Sequence, residues 1–317
     1  MHNVLITGAS GFIGRGLCAR MCREGWKVRG VVRSGGKQTD LPAGVDPVLV
    51  ETIGPDTDWS DILHDCDVVA HLAARVHVIK DASTDPLQEY RTVNTAGTER
   101  LAQEAAAAGI KRFVYVSTVK VNGEGAPYAY TERDVPAPAD AYSLSKWEAE
   151  EVLRRIGSAS GLKAVILRPP LVYGPGVGAN FLRLMKWVAL GLPLPLGSIR
   201  NCRSMIYREN LVDAIVTTVS HPRAAGETFL VSDGIDLSTP EFVRIIASRM
   251  GRKPFLVPCP TAFLKALGWV AGRGKEVDRL TGSLSIDSSK IGKLLDWKPP
   301  FTIEEGIRET VKWFTSS

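Results

Sequence analysis

Residues 3–14 read Asn3-Val4-Leu5-Ile6-Thr7-Gly8-Ala9-Ser10-Gly11-Phe12-Ile13-Gly14, and the fold is decided there. The apolar run Asn3–Thr7 predicts a buried strand, and the pattern Phe12–Arg23 predicts a helix. Three glycines separate the two. Gly8 permits a tight turn, Gly11 removes a side chain where backbone must approach a pyrophosphate, and Gly14 lets the helix pack closely on the strand. A strand feeding a helix N-terminus through such a turn presents free N–H groups and a positive dipole end to phosphate. Dinucleotide binding is the expected consequence, with Gly8, Ser10, Gly11, Phe12, Ile13 and Gly14 at the cofactor.

Outward from this stretch, short apolar runs alternate with longer amphipathic ones. Strands are predicted at Asn3–Thr7, Lys27–Val32, Pro47–Val50, Val68–His71, Arg112–Ser117 and Lys163–Leu167. Helices are predicted at Phe12–Arg23, Pro86–Ala108 and Ala141–Ile156. This alternation implies βαβ units with right-handed crossovers: an α/β fold, a doubly wound parallel sheet of Rossmann type. After Pro169 the pattern changes. Pro and Gly cluster, and helical periodicity follows at Asn210–Ser220, Pro240–Met250, Thr261–Val270 and Ile303–Phe314. The expected division is a dinucleotide-binding domain over 1–173, also receiving about 206–232 with a late strand at Phe229–Ser232. A smaller, mostly helical substrate domain takes most of 174–317.

The formal charge of +5 over 317 residues is too mild for a nucleic-acid binder, but a small surplus suits an anionic ligand. The start of the chain carries no charged-then-apolar leader, and no apolar run reaches the roughly 18 residues of a membrane span. A cytoplasmic protein with no nucleic-acid and no membrane partner is the expectation. The apolar stretch Phe263 to Ala271 is read as a core helix, with a membrane-surface helix as the alternative. Five cysteines form no CxxC pair and are read as free thiols; no metal site is expected.

The end of the second strand addresses the 2′ position of the adenosine ribose, where an NAD site usually offers Asp or Glu. Here it reads Val28-Arg29-Gly30-Val31-Val32-Arg33-Ser34. Arg33 can pair with a 2′-phosphate through its planar fork, which favours NADP(H) and leaves NAD(H) open. His71-Leu72-Ala73-Ala74 follows the fourth strand. The small residues let backbone lie beside the dinucleotide at Leu72, Ala73 and Ala74, and His71 reads as structural rather than catalytic.

Tyr142-Ser143-Leu144-Ser145-Lys146 opens a helix, and the four-residue spacing puts phenol and ammonium on one face. A nearby cation lowers a phenol pKa from near 10, so Tyr142 is the expected proton carrier and Lys146 its partner. The strand Val114–Thr118 ends in two hydroxyls, Ser117 and Thr118, able to hydrogen-bond the same substrate oxygen.

Together these residues resemble the extended short-chain dehydrogenase/reductase family, in its branch of nucleotide-sugar epimerases, dehydratases and ketoreductases. The resemblance rests on TGASGFIG at Thr7–Gly14, HLAA at His71–Ala74, VNTAGT at Val93–Thr98, VYVST at Val114–Thr118, YSLSK at Tyr142–Lys146 and RPPLVYGPG at Arg168–Gly176. It extends to Asp287–Trp297 and Glu304–Phe314. It implies Thr118, five residues before Gly123, as the catalytic hydroxyl beside Tyr142 and Lys146. It places Ser117 and Pro169 at the cofactor and Asn180, Arg203 and Arg279 on the substrate diphosphate, and it implies a homodimer through the helices at Pro86–Ala108 and Ala141–Ile156. The family's 4,6-dehydratases carry Asp-Glu directly after the active Thr, where this chain has Val119 and Lys120. Chemistry at a single sugar carbon, C4, is what remains. NADPH-dependent 4-keto reduction is the leading expectation, on the strength of Arg33 and the missing acidic residue, and the resemblance implies a UDP-4-keto-6-deoxy-N-acetylhexosamine as its substrate. A UDP-hexose 4-epimerase with tightly held NAD is the alternative, and a reductase of hydrophobic ketones a lesser one.

Overall fold

A computed structural model describes residues 2–34, 41–76 and 85–316. Strands β1 (Asn3–Thr7), β2 (Lys27–Arg33), β3 (Val45–Val50), β4 (Val68–His71), β5 (Arg112–Val116), β6 (Ala164–Arg168) and β9 (Thr228–Leu230) form one parallel sheet in the order β3-β2-β1-β4-β5-β6-β9. A smaller parallel pair, β7 (Leu171–Tyr173) and β8 (Met205–Tyr207), stands apart. The order reverses between β1 and β4, and in such sheets ligands bind at that switch point, beyond the carboxyl ends of the strands. Pro47, which cannot donate to a ladder, sits in β3 at the sheet edge, where that omission is tolerated.

Side chains alternate across the sheet with period two. Val4 and Ile6 of β1, with Val114 and Val116 of β5, enter one core; Leu5, Phe113 and Tyr115 enter the opposite one. Full burial of each such side chain is worth about 1.5–3 kcal/mol, and these strands are apolar on both faces because helices cover both. A third core lies outside the main sheet and is built from Phe181, Met185, Phe242, Ile246, Ile307 and their neighbours. The β7–β8 pair separates the first core from the third: Ile206 faces the first, Met205 and Tyr207 the third. Asp233 pins the junction. It accepts from the Tyr173 hydroxyl (2.8 Å), the Tyr207 amide (2.9 Å) and the Asn210 side-chain amide (2.7 Å).

Several elements depart from expectation. The predicted helix Pro86–Ala108 contains a π-helical turn, Arg91–Ala96, between α-helical Pro86–Tyr90 and Gly97–Ala107. Such turns insert one residue and redirect side chains, often at functional sites. The late strand runs Thr228–Leu230 and pairs in parallel with β6. The β7–β8 pair and the helices Ala179–Ala189, Gly274–Thr281 and Ser289–Leu295 had no clear periodic signal. Helix Ser289–Leu295 sits in the first core through Ile291 and Leu295, although the expected division places it in the second region. The helix Thr261–Val270 is not the core helix expected: Gly268 alone is buried, and Phe263, Leu267, Trp269 and Val270 are exposed.

Candidate active site

The glycine turn has the shape that a dinucleotide requires. Gly8 adopts φ +69°, and a Cβ there would lie 2.9 Å from the Ala73 amide nitrogen. A Cβ on Gly14 would overlap the Gly8 carbonyl oxygen. The helix Phe12–Arg23 starts at Gly11 with no side-chain cap, and Gly11 is exposed, so the first-turn N–H groups face open space. Ser10, Phe12 and Ile13 are partly buried around this opening. The residues therefore fit a pyrophosphate, with a cradle that any side chain would fill.

His71 organises the facing wall. It is fully buried; its Nδ1 lies 2.6 Å from the Thr7 hydroxyl and its Nε2 2.9 Å from Thr98 Oγ1. Thr98 donates to the Asn94 carbonyl, so at Nε2 it accepts, and the ring carries its proton there. Thr7 in turn donates to Nδ1 and accepts from the Leu72 and Ala73 amides, at 3.2 and 3.1 Å. That locks the backbone of Leu72–Ala74 beside Gly8. Burial, and then the Lys146 charge, pull the imidazole down to about 3, so it is neutral and structural. Arg33 ends β2 and is exposed.

The helix Ala141–Ser160 carries Tyr142, Lys146 and Glu150 one turn apart. Asp140 caps it by a reciprocal bond with Ser143. The π-helical turn braces it from outside: the Asn94 side-chain amide donates to Ser145 Oγ (3.0 Å) and the Thr95 hydroxyl to the Ser145 carbonyl (3.0 Å). Lys146 Nζ is buried, donates to the Val116 carbonyl at 2.7 Å and lies 3.9 Å above the Tyr115 ring. Burial lowers its ammonium to about 7, against the opposing pull of Glu150. Tyr142 is partly buried with the Tyr90 ring edge-on at 6.1 Å. Burial, then Asp140 and Tyr90, raise its phenol above the ordinary value.

Thr118, two residues beyond β5, is in extended backbone and its hydroxyl accepts from the Lys120 amide (3.3 Å). Lys120, one of the two departures from the dehydratase pattern, has a mechanical role. Its Nζ bonds Asp140 (2.7 Å) and Glu124 (2.7 Å), tying the Thr118 turn to the cap that precedes Tyr142. Burial acts to raise the Asp140 carboxyl, but Lys120 and Ser143 outweigh it and hold it at about 2. Val119, the other, is buried, and its amide donates to the Pro169 carbonyl (3.0 Å).

The Ser117 hydroxyl donates to Glu150 (2.6 Å) rather than standing free for a ligand. Glu150 and Arg168 form a fully buried pair: Arg168 Nε donates to Oε1 at 2.9 Å, Nη2 to Oε2 at 2.6 Å, and Nη1 to Asn122 at 2.9 Å. Neither Glu150 nor Asn122 was singled out from the sequence. The signal was available for Glu150, which follows Lys146 by four residues as Lys146 follows Tyr142.

Asn180, Arg203 and Arg279 line one cavity of about 350 Å³ among the helices Ala179–Ala189, Thr261–Val270 and Gly274–Thr281. Arg203 is held there by bonds from Nη1 to the Arg279 (2.8 Å) and Gly282 (3.0 Å) carbonyls. Burial depresses its pKa, while Glu124 opposes the shift. Phe181, Trp187 and Leu264 supply apolar walls. Cationic guanidinium groups beside apolar walls suit a ligand with a diphosphate and a flat ring.

The family described as "NAD dependent epimerase/dehydratase family" matches residues 4–232. The chain belongs to it. Over 98% of its length it is 43% identical to the UDP-glucose 4-epimerase of Vibrio cholerae, 95% of which is covered. Among solved structures, MoeE5 in complex with UDP-glucose and NAD superposes with a TM-score of 0.80 at 25% identity, covering 99% of both chains. The UDP-glucuronic acid 4-epimerase from Bacillus cereus, in complex with NAD, gives 0.80 at 23%, again over 99% of both. The epimerase/dehydratase family thus accounts for the seven-stranded parallel sheet. The enzyme class expected from the sequence, an NAD(P)-dependent oxidoreductase or nucleotide-sugar epimerase, holds. The balance inside that class moves from reductase towards epimerase.

Proposed function

We propose that this enzyme interconverts the two C4 epimers of a UDP-hexose. The observation that supports this reading best is near-full-length 43% identity to a UDP-glucose 4-epimerase, in a chain that keeps Thr118, Tyr142 and Lys146 together. Bound at Gly8–Gly14 and along Leu72–Ala74 and Pro169, NAD would accept a hydride from C4 and return it. The chain's own residues carry the proton. Tyr142 takes it from the C4 hydroxyl as C4 is oxidised and restores it after the 4-keto sugar has presented its other face. Thr118 hydrogen-bonds the same oxygen. Lys146 supplies positive charge beneath the site when protonated. Asn180, Arg203 and Arg279 hold the diphosphate, so the sugar can turn without leaving.

In this cycle the Tyr142 phenol becomes a base when cationic charge, from Lys146 and an oxidised nicotinamide ring, stands beside it. A homodimer through the helices Pro86–Ala107 and Ala141–Ser160, working in the cytoplasm, belongs to the same reading. Arg33 favours a second one: NADPH-dependent 4-keto reduction, because an exposed guanidinium at the end of β2 suits a 2′-phosphate.

The test is to incubate purified enzyme with UDP-glucose, with and without added NAD, and follow UDP-galactose and nicotinamide absorbance. Interconversion with no net absorbance change supports the epimerase. No interconversion, with stoichiometric consumption of NADPH on a UDP-4-keto-6-deoxy-N-acetylhexosamine, establishes the reductase instead.

A further inference from the structure

The helix Thr261–Val270 and the segment before it form a surface the catalytic reading leaves unused. Around the helix axis, Thr261, Leu264 and Gly268 share the inward side. Leu264 lines the cavity, and a Cβ on Gly268 would lie 2.5 Å from Val277 in the neighbouring helix. Apart from the exposed Lys265, the rest of the circumference is also apolar. Phe263, Leu267 and Val270 follow a spacing of four and three, and Trp269 stands beside them; they are 57%, 51%, 77% and 81% exposed. A helix apolar all round is ordinarily buried, so an exposed one marks a contact surface. Phe255 adds to the exposed apolar side chains of the same segment. Leu190 and Leu192 lie next to it, because the Leu194 amide bonds the Phe255 carbonyl.

Charge decides what fits. From Phe242 to Lys275 the chain contains seven basic residues and no acidic one: Arg244, Arg249, Arg252, Lys253, Lys265, Arg273 and Lys275. That exceeds the net +5 of the whole chain, so the remainder is slightly acidic. Arg249, Arg252, Lys253 and Arg273 are exposed. Lys265 pairs with Asp278 at 3.3 Å, which leaves Arg249, Arg252, Lys253 and Arg273 to carry the positive charge of the segment. Exposed Trp and Phe on a short helix, in a stretch of chain with this basic surplus, match the headgroup boundary of an anionic bilayer. No helix among the described residues is long and apolar enough to cross a membrane, so the contact is peripheral.

We propose that residues 249–273 dock the enzyme on an anionic lipid surface through Phe263, Leu267, Trp269 and Val270. This reverses the sequence expectation of no membrane partner. The mouth of the substrate cavity would then face the bilayer, because Leu264 and Arg273 border both.

The test is co-flotation of the full chain with vesicles of phosphatidylethanolamine and phosphatidylglycerol, against pure phosphatidylcholine, at low and high salt. Binding should require the anionic lipid and weaken with salt. Phe263→Ser/Trp269→Ser should reduce it by about tenfold or more, with turnover of a water-soluble UDP-hexose unchanged. Arg252→Glu/Lys253→Glu should also reduce it, leaving the apolar face intact. Equal binding to both vesicle types, or none to either, overturns the proposal. So does a dimer in light scattering that the Ser variant dissociates while vesicles capture nothing; the face would then join two copies of this chain.

Discussion

Glu150→Gln removes one charge from the most deeply buried ion pair near the site. The side chain keeps its size, and Arg168, 2% exposed, is left with Asn122, a neutral amide and the Trp147 ring beside its guanidinium. Breaking a buried pair from one side costs about 3–5 kcal/mol, because the surviving charge stays desolvated. At roughly 2–3 °C per kcal/mol for a chain of this size, Tm should fall by about 6–15 °C. The same change acts on Lys146. Glu150 holds the Lys146 ammonium up against burial, so its loss lowers that pKa further below about 7. If charged Lys146 serves the reaction, the alkaline limb of kcat/KM moves to lower pH. Differential scanning fluorimetry and a pH–rate profile read the two effects separately. Arg168→Met added to Glu150→Gln should recover much of the stability, since no unpaired charge then remains. A Tm within about 2 °C of the parent for the single variant, or a double variant no more stable than the single, would refute the reasoning.

Tyr142→Phe keeps the ring and removes the proton carrier; turnover should fall by about 100-fold or more while NAD titration stays near the parent value. Arg279→Ala removes a cavity cation without touching the carbonyl that Arg203 uses, so KM for UDP-glucose should rise by about tenfold, with Tm as the control. His71 gives a pH dependence of defined sign. Its folded pKa of about 3 lies below the ordinary 6.5, so the unfolded state binds more protons between those values. Stability should therefore fall as pH drops from 6.5 towards 3. His71→Gln should flatten that loss by a few kcal/mol, read from urea midpoints at pH 7 and 4.5.

What was legible in the sequence is what acts locally. The glycine turn, the alternation of strands and helices, and the Tyr142–Lys146 spacing depend on neighbours within a few residues, and the first six strands of the main sheet stand within two residues of where their patterns placed them. The cavity trio Asn180, Arg203 and Arg279 came from resemblance alone, and the structure brings all three to the lining of one cavity. What escaped depends on distant partners. The π-helical turn carries Asn94 and Thr95, which reach Ser145 of the neighbouring helix. The partnership of Ser117 with Glu150 and of Lys120 with Asp140 has no local signature. The stretch Phe263 to Ala271 was misjudged because an apolar run reads the same whether it turns towards a core or towards solvent. Arg33 stands where expected, exposed at the end of β2.

The weaving of the chain across the β7–β8 junction has a consequence for how such proteins can diversify. The polypeptide leaves the main sheet after Arg168, returns at Arg208 to supply a helix and β9, leaves again after Val231, comes back for Ser289–Leu295 and ends in the third core. A single recombination event therefore cannot exchange the substrate-holding half as a cassette. A graft at residue 170 would import foreign versions of β9 and its covering helices, and the recipient's β6 would receive an edge partner it had never packed against. New specificities are more readily reached by substitutions along the cavity wall, within helices such as Ala179–Ala189, than by swapping halves.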